Sequence, residues 1–242
     1  MELITAHRLA VPGRLHEVQL ALSAGQMLGL IGPNGSGKST LLQCLAGIGR
    51  HHGQVVLEGR DLQRLPPDER ARRIGLLPQA GHSAWALRVR DVVALGRLPW
   101  HDQGAEAVAR AIELTGIGAW LDERVDRLSG GEQARVWLAR VLAGEPHLLL
   151  ADEPIASLDL LYQRQVMGLL RRHADSGGGV IVALHDLALA ARYCDRFCLL
   201  DGGRVHACGT PAEVLSEANL LAVFGVEVHV DLAARPPVVA PR

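Results

Sequence analysis

Apolar residues follow two rhythms along this chain, one suited to strands and one to helices. Leu3–Leu9 and Glu17–Leu22 alternate in part and are punctuated by Pro12-Gly13 and Ala24-Gly25, which predicts a short antiparallel ribbon. Met27-Leu28-Gly29-Leu30-Ile31 is almost continuously apolar, as a strand buried on both faces of a parallel sheet should be. Lys38–Ala46 follows with Leu41, Leu42 and Leu45 at helical spacing and Gly47 at its end. From about residue 80 to 145 the rhythm is helical throughout: Val89–Leu95, Glu106–Leu114 and Gln133–Leu142 carry apolar residues every three or four positions. Strand and helix then alternate through His147–Ala151, Leu160–His173, Val180–Leu184, Leu187–Tyr193 and Arg196–Leu200, the pattern of a layered α/β fold. A hairpin at Asp201-Gly202-Gly203-Arg204 and short helices at Ala212–Leu215 and Ala218–Phe224 complete the series, and the proline-rich stretch 233–242 is expected to fray.

Composition narrows the function classes. The 242 residues carry 25 Lys+Arg against 26 Asp+Glu, so no net field gathers a polyanion, and eight aromatic residues are too few for a base-stacking platform. Nucleic acid is therefore not an expected partner. The longest uncharged stretch, Val18 to Gly37, has the ~20 residues that span a bilayer, but it is interrupted by Gln19, Ser23, Gln26 and Asn34. With no basic-then-apolar start after Met1, a soluble cytosolic chain is expected. Cys44, Cys194, Cys198 and Cys208 form no metal-binding spacing and are expected to pack as small apolar side chains. His51-His52 reads as an exposed turn.

Three segments carry chemistry. Gly32-Pro33-Asn34-Gly35-Ser36-Gly37-Lys38-Ser39-Thr40 fits G-x-x-x-x-G-K-[ST] between a predicted strand and a predicted helix. Glycines let backbone N–H groups converge on phosphate oxygens, and the helix start adds free donors. Lys38 would offset β/γ-phosphate charge and Ser39 would ligate Mg²⁺. Asp152 and Glu153 end an apolar strand at the sheet edge where α/β sites lie. Asp152 is suited to hold Mg²⁺ through water and Glu153 to orient or deprotonate an attacking water. These two segments leave kinases, GTPases and many ATPases open. Leu128-Ser129-Gly130-Gly131-Glu132-Gln133 is a second anion-binding turn at a helix start, which points to ATP held between two copies. Taken alone, Ser129–Glu132 is equally a plain helix cap.

Over nearly its whole length the sequence resembles the ATP-binding subunits of ABC transporters. The resemblance rests on the loop at 32–40, the acids at 152–153, the signature-like run Leu128–Gln133, Gln79 in Leu76-Leu77-Pro78-Gln79, Ser157-Leu158-Asp159, and His185 in Ala183-Leu184-His185-Asp186. It implies a P-loop NTPase fold of the ABC-ATPase type. A RecA-like nucleotide core (1–79 and 146–232) would carry an N-terminal antiparallel β subdomain and an inserted helical subdomain (80–145), with 233–242 as a flexible tail. It also implies Glu153, His185 and Gln79 in catalysis, Ser39, Gln79 and Asp152 around Mg²⁺, and Ser129, Gly130, Gly131 and Glu132 meeting the ATP of a second copy, with Asp159 at the dimer contact. The implied partners are a second copy of the chain, transmembrane permease subunits and, indirectly, a substrate-binding protein, at the cytoplasmic face of the cell membrane.

Val92–Pro99, Gln163, His185–Ala191 and Asn219–Val226 resemble the importers of iron–siderophore complexes, haem or vitamin B12. A soluble ABC ATPase is the alternative, although such proteins carry a coiled-coil insertion or two ATPase halves, which this chain lacks. Between Leu3 and Leu22 the aromatic residue that commonly stacks on adenine is missing. The region Ala80–Pro99, with Trp85, Val89 and Leu98, is expected to form the groove that receives a permease helix.

Overall fold

The computed structural model describes residues 2–79, 86–156 and 158–242, so Trp85 and Ser157 lie outside the described residues. Strands β1 (Glu2–Val11) and β2 (Leu15–Ser23) pair antiparallel, as their alternation predicts. Strand β3 (Met27–Ile31) is buried at every position, then the glycine-rich turn leads into helix α1 (Lys38–Leu45). The next elements were not evident from periodicity: β4 (His52–Leu57), β5 (Arg60–Asp61), α2 (Pro67–Arg73) and β6 (Ile74–Leu77). His52 therefore opens a strand, opposite Ala10 of β1, and is not part of a free turn.

The helical stretch contains α3 (Val89–Ala94), α4 (Ala105–Thr115) and α5 (Gly130–Ala143). After it come β7 (Leu148–Asp152), α6 (Leu160–Asp175), β8 (Gly179–Ala183), α7 (Leu187–Tyr193), and the hairpin β9 (Arg196–Asp201) and β10 (Arg204–Gly209). Helices α8 (Pro211–Val214) and α9 (Glu217–Phe224) precede β11 (Val228–Asp231) and β12 (Val238–Pro241). The tail thus differs from expectation: β12 pairs antiparallel with β11, and Val230, Leu232 and Val239 pack on the core. Their apolar side chains, at alternate positions, outweigh the proline content that suggested fraying.

Six strands form the central sheet in the order β10-β9-β3-β8-β7-β6, and β2-β1-β4-β5 form the antiparallel sheet. Pairing is parallel from β9 through β3, β8 and β7 to β6. One face of the central sheet packs with α1 and the antiparallel sheet around Leu9, Leu22, Leu41, Leu150 and Leu200. The other buries Met27, Ile31, Met167, Val182 and Phe197 under α6 and α7. A third cluster joins Val89, Val92, Val93, Ala111, Val136 and Ala139 of α3, α4 and α5 with Ile117 and Val125 of the segment between α4 and α5. Val89 is fully buried there, so it is a packing residue and not part of an open groove, whereas Leu98 is 64% exposed. Three cysteines are buried as expected, but Cys208 is exposed on β10.

Arg97 explains how the turn after α3 is fastened. Its guanidinium donates to Asp102 Oδ1 and Oδ2 (2.9 and 2.8 Å), the Ala143 carbonyl (3.1 Å) and Glu145 Oε2 (3.1 Å), and it lies 4.7 Å from the centroid of Trp100. These bonds hold Asp102 below the usual carboxylate range. The side chain is almost wholly buried, so the planar fork serves four acceptors that an ammonium could not reach together. Arg97→Ala should destabilise the chain by about 2 kcal/mol in urea unfolding, with Arg97→Lys recovering less than half of that.

Candidate nucleotide site

Four neighbouring strands bring the sequence-predicted residues to one edge. The order β3-β8-β7-β6 is parallel, so the segments after each strand emerge side by side: Gly32–Thr40 after β3, His185 after β8, Glu153 after Asp152 at the end of β7, and Gln79 after β6.

The loop at 32–40 needs its glycines for two different reasons. Gly32 has φ 146°, and a Cβ there would stand 2.2 Å from the Leu200 carbonyl oxygen of β9. Gly37, at φ 104°, caps α1, and a Cβ there would meet Leu15 at 2.7 Å. Lys38 Nζ folds back over the loop and donates to the carbonyls of Gly32 (2.8 Å) and Pro33 (3.2 Å). Burial lowers the pKa of Lys38, and the charges of Glu153 and Asp152 partly offset the shift. Behind the loop, Gly203 N–H at the β9–β10 tip donates to the Ser36 carbonyl (3.1 Å), and His16 N–H donates to the Gly203 carbonyl (2.8 Å). Sequence reading identified that hairpin but not its role as a prop, because nothing in a Gly-Gly turn indicates what it will touch.

The acids of β7 differ in surroundings. Asp152 is buried and its Oδ1 has no hydrogen-bond partner. Its pKa is raised chiefly by burial and further by Glu153, against the pull of a Ser39 hydrogen bond and the charges of Lys38 and His185. An unpartnered buried carboxylate oxygen beside a serine hydroxyl is the donor set of a hard divalent cation, so Asp152 and Ser39 fit Mg²⁺. Glu153 sits in the left-handed region at φ 49°, with its N–H donating to the Ala183 carbonyl at 3.2 Å. Its carboxylate is shared: His185 Nε2 lies 2.5 Å from Oε1, and Gln79 Nε2 donates to Oε2 at 2.7 Å. The side chain joins three strand ends and retains 15% exposure. A strained backbone at a half-buried acid is a feature of functional positions, where the surroundings hold it in place.

Ser129–Glu132 does not join this edge. It begins α5, on the helical layer, where Ser129 Oγ accepts from Glu132 N–H (3.4 Å) and Glu132 Oε2 accepts from Ser129 N–H and Oγ (both 2.8 Å). Those bonds lower the Glu132 pKa. The helix-cap reading is therefore realised in this chain, while Ser129 and Gly130 stay exposed and a Cβ on Gly130 would meet no neighbour. Asp159 caps α6 by accepting from Tyr162 N–H (2.9 Å), and Leu160 and Leu161 next to it are 80% and 61% exposed.

Residues 15–156 match the ABC transporter family. Among curated relatives, a protein of Pseudomonas fluorescens (strain Pf-5) named "Hemin import ATP-binding protein HmuV" is 48% identical over 223 residues, spanning 88% of this chain and 87% of the relative. A protein of the same name from Rhodococcus jostii (strain RHA1) is 46% identical over 89% of this chain and 76% of its own length. Among solved structures, one described as an inward-facing metal-chelate type ABC transporter is 25% identical, with a TM-score of 0.83 over 96% of this chain and 92% of the other. An ATP-binding cassette in its ADP conformation shares the fold with a TM-score of 0.82. With the phosphate loop, the acids of β7 and the matched family in agreement, this chain belongs to the ABC transporter family as an ATP-binding, ATP-hydrolysing subunit.

Proposed function

We propose that this chain is the ATPase of a hemin importer and that it works as a pair of identical copies enclosing two ATP molecules. The observation that carries the pairing is the split of the site. The loop 32–40, Asp152, Glu153, His185 and Gln79 share one sheet edge, while the turn Ser129-Gly130-Gly131, exposed at Ser129 and Gly130 and bonded only within its own helix cap, stands apart at the start of α5. A second copy related by a twofold axis brings each such turn to the other's phosphates, and Asp159 with exposed Leu160 and Leu161 falls to the seam. The choice of hemin over an iron–siderophore complex or vitamin B12 draws its support from the names of the relatives at 46–49% identity.

In this reading Ser39 and Asp152 would hold Mg²⁺, with Gln79 following β6 at the same sheet edge; when bound, the cation would offset phosphate charge. Lys38 exchanges its loop carbonyls for phosphate oxygens. Glu153 leaves one of its two partners and accepts a proton from the water that attacks the γ-phosphorus, while His185 holds the carboxylate in line. Closure of the pair follows from ATP binding the closed arrangement more tightly, and hydrolysis reverses it. No helix among the described residues is long and apolar enough to cross a membrane. The motion is passed to separate permease subunits at the cytoplasmic membrane face through the helical subdomain, and a substrate-binding protein is reached only through the permease.

Three outcomes test this. Glu153→Gln should retain ATP affinity but lose turnover by ~10²-fold or more, since the amide keeps the size without accepting a proton. On ATP addition it should double in mass by light scattering, and adding Ser129→Arg to the same chain should abolish the doubling. Asp152→Asn should raise the melting temperature of the nucleotide-free chain by about 2–4 °C at neutral pH, because its raised pKa means that the charged form costs stability. That gain should vanish as the pH falls through the folded pKa of Asp152, and Mg²⁺-dependent ATP binding should weaken in calorimetry. Reconstituted in vesicles with its co-purified membrane subunits, the chain should drive ATP-dependent hemin uptake; uptake of cobalamin or a ferric siderophore without hemin would overturn the substrate assignment.

A further inference from the structure

The β9–β10 hairpin carries chemistry that nucleotide hydrolysis does not use. Cys198 of β9 and Cys208 of β10 are directly paired across the two antiparallel strands, so their side chains rise from the same face of the sheet. Cys198 is fully buried among Leu30, Leu45 and Leu200, while β10 is the edge strand of the sheet and Cys208 is exposed on it. Arg196, two residues before Cys198, brings its positive charge near the Cys208 sulfur, and its buried Nε has no hydrogen-bond partner. The hydrogen bond from Cys198 and the nearby guanidinium bring the Cys208 thiol down to about 7, whereas the same contact and burial push Cys198 far up. An exposed thiol of lowered pKa therefore faces a shielded thiol across one strand pair. Cys44 and Cys194 lack this arrangement: both are buried, and burial raises both.

We propose that Cys208 and Cys198 are a peroxide-reactive pair that closes to a cross-strand disulfide and, through the hairpin, loosens the phosphate loop. The Cys208 thiolate attacks one oxygen of hydrogen peroxide; the O–O bond breaks, leaving Cys208 as a sulfenic acid and releasing hydroxide, which takes up a proton to become water. The Cys198 sulfur then attacks the Cys208 sulfur, the S–O bond breaks, and the departing hydroxyl leaves as a second water with the proton lost by Cys198. Two thiols are oxidised by two electrons and one peroxide is reduced to two waters. The consequence for the nucleotide site follows from position. Gly203, at the tip of the hairpin, bonds the Ser36 carbonyl, and the Leu200 carbonyl of β9 presses on Gly32. A new covalent link draws β10 toward β9 at Cys198, and the shift is transmitted to both contacts.

The test is treatment of the intact chain with hydrogen peroxide, followed by non-reducing digestion, mass spectrometry and an ATPase assay. The expected result is a peptide pair joined through residues 198 and 208, lighter than its reduced components by two hydrogen atoms. A parallel fall in ATPase rate of several-fold should accompany it, and a dithiol should restore both. Cys208→Ser, at an exposed position, should show neither effect. Cys198→Ala should leave Cys208 as a sulfenic acid that dimedone captures, and Cys198→Val offers a second core filling if alanine impairs folding. The proposal is overturned if Cys208 stays reduced while Cys44 or Cys194 reacts, or if Cys208 links only to another molecule. It fails equally if the cross-link forms without loss of ATPase, or if Cys208→Ser loses ATPase to the same extent.

Discussion

A parallel strand pair cannot be closed by a tight turn, so each strand must be followed by a crossover that starts at the same edge of the sheet. Here β3, β8 and β7 are buried at every position, which leaves their ends as the only places where polar chemistry can emerge. The register is fixed residue by residue, with Leu30 opposite Ala183 and Asp152 also opposite Ala183. Phosphate loop, histidine and acids are consequently set in place by hydrophobic burial well below them. The antiparallel sheet and the hairpin at Gly203 act on this edge from behind, while the helical layer has its own core and its own buried arginine clasp.

That arrangement places charge where it is poorly solvated. Lys38, Asp152 and Glu153 each influence the ionisation of another, and the lysine is shifted down while Asp152 is shifted up. Both shifts have burial as their largest cause, so the chain without nucleotide holds groups whose charged forms are under-compensated. In the proposed reading, phosphate and a divalent cation are the partners these groups lack, and the cost of their burial is one that binding would relieve.

The elements that carry strong periodicity were legible from the residues alone. Met27–Ile31 and Leu187–Tyr193 lie where their apolar patterns place them, and the segments around α4 and α6 differ only by a few terminal residues. Strands β4 and β6 were not legible, since Gly53, Gln54 and Gly75 interrupt any alternation and their pairing is decided by partners distant in sequence. Helix α5 begins at Gly130, ahead of its apolar stripe, because Ser129 and Glu132 cap it. The site residues were named by motif, but their relations were not: a sequence shows that Gln79, Glu153 and His185 exist, and only the strand order shows that one carboxylate holds the other two.

That shared carboxylate bears on how a solitary copy behaves. Each oxygen of Glu153 already carries one neighbour, Gln79 on Oε2 and His185 on Oε1, so a water that enters beside this carboxylate meets an acceptor whose orientation two other strand ends have fixed.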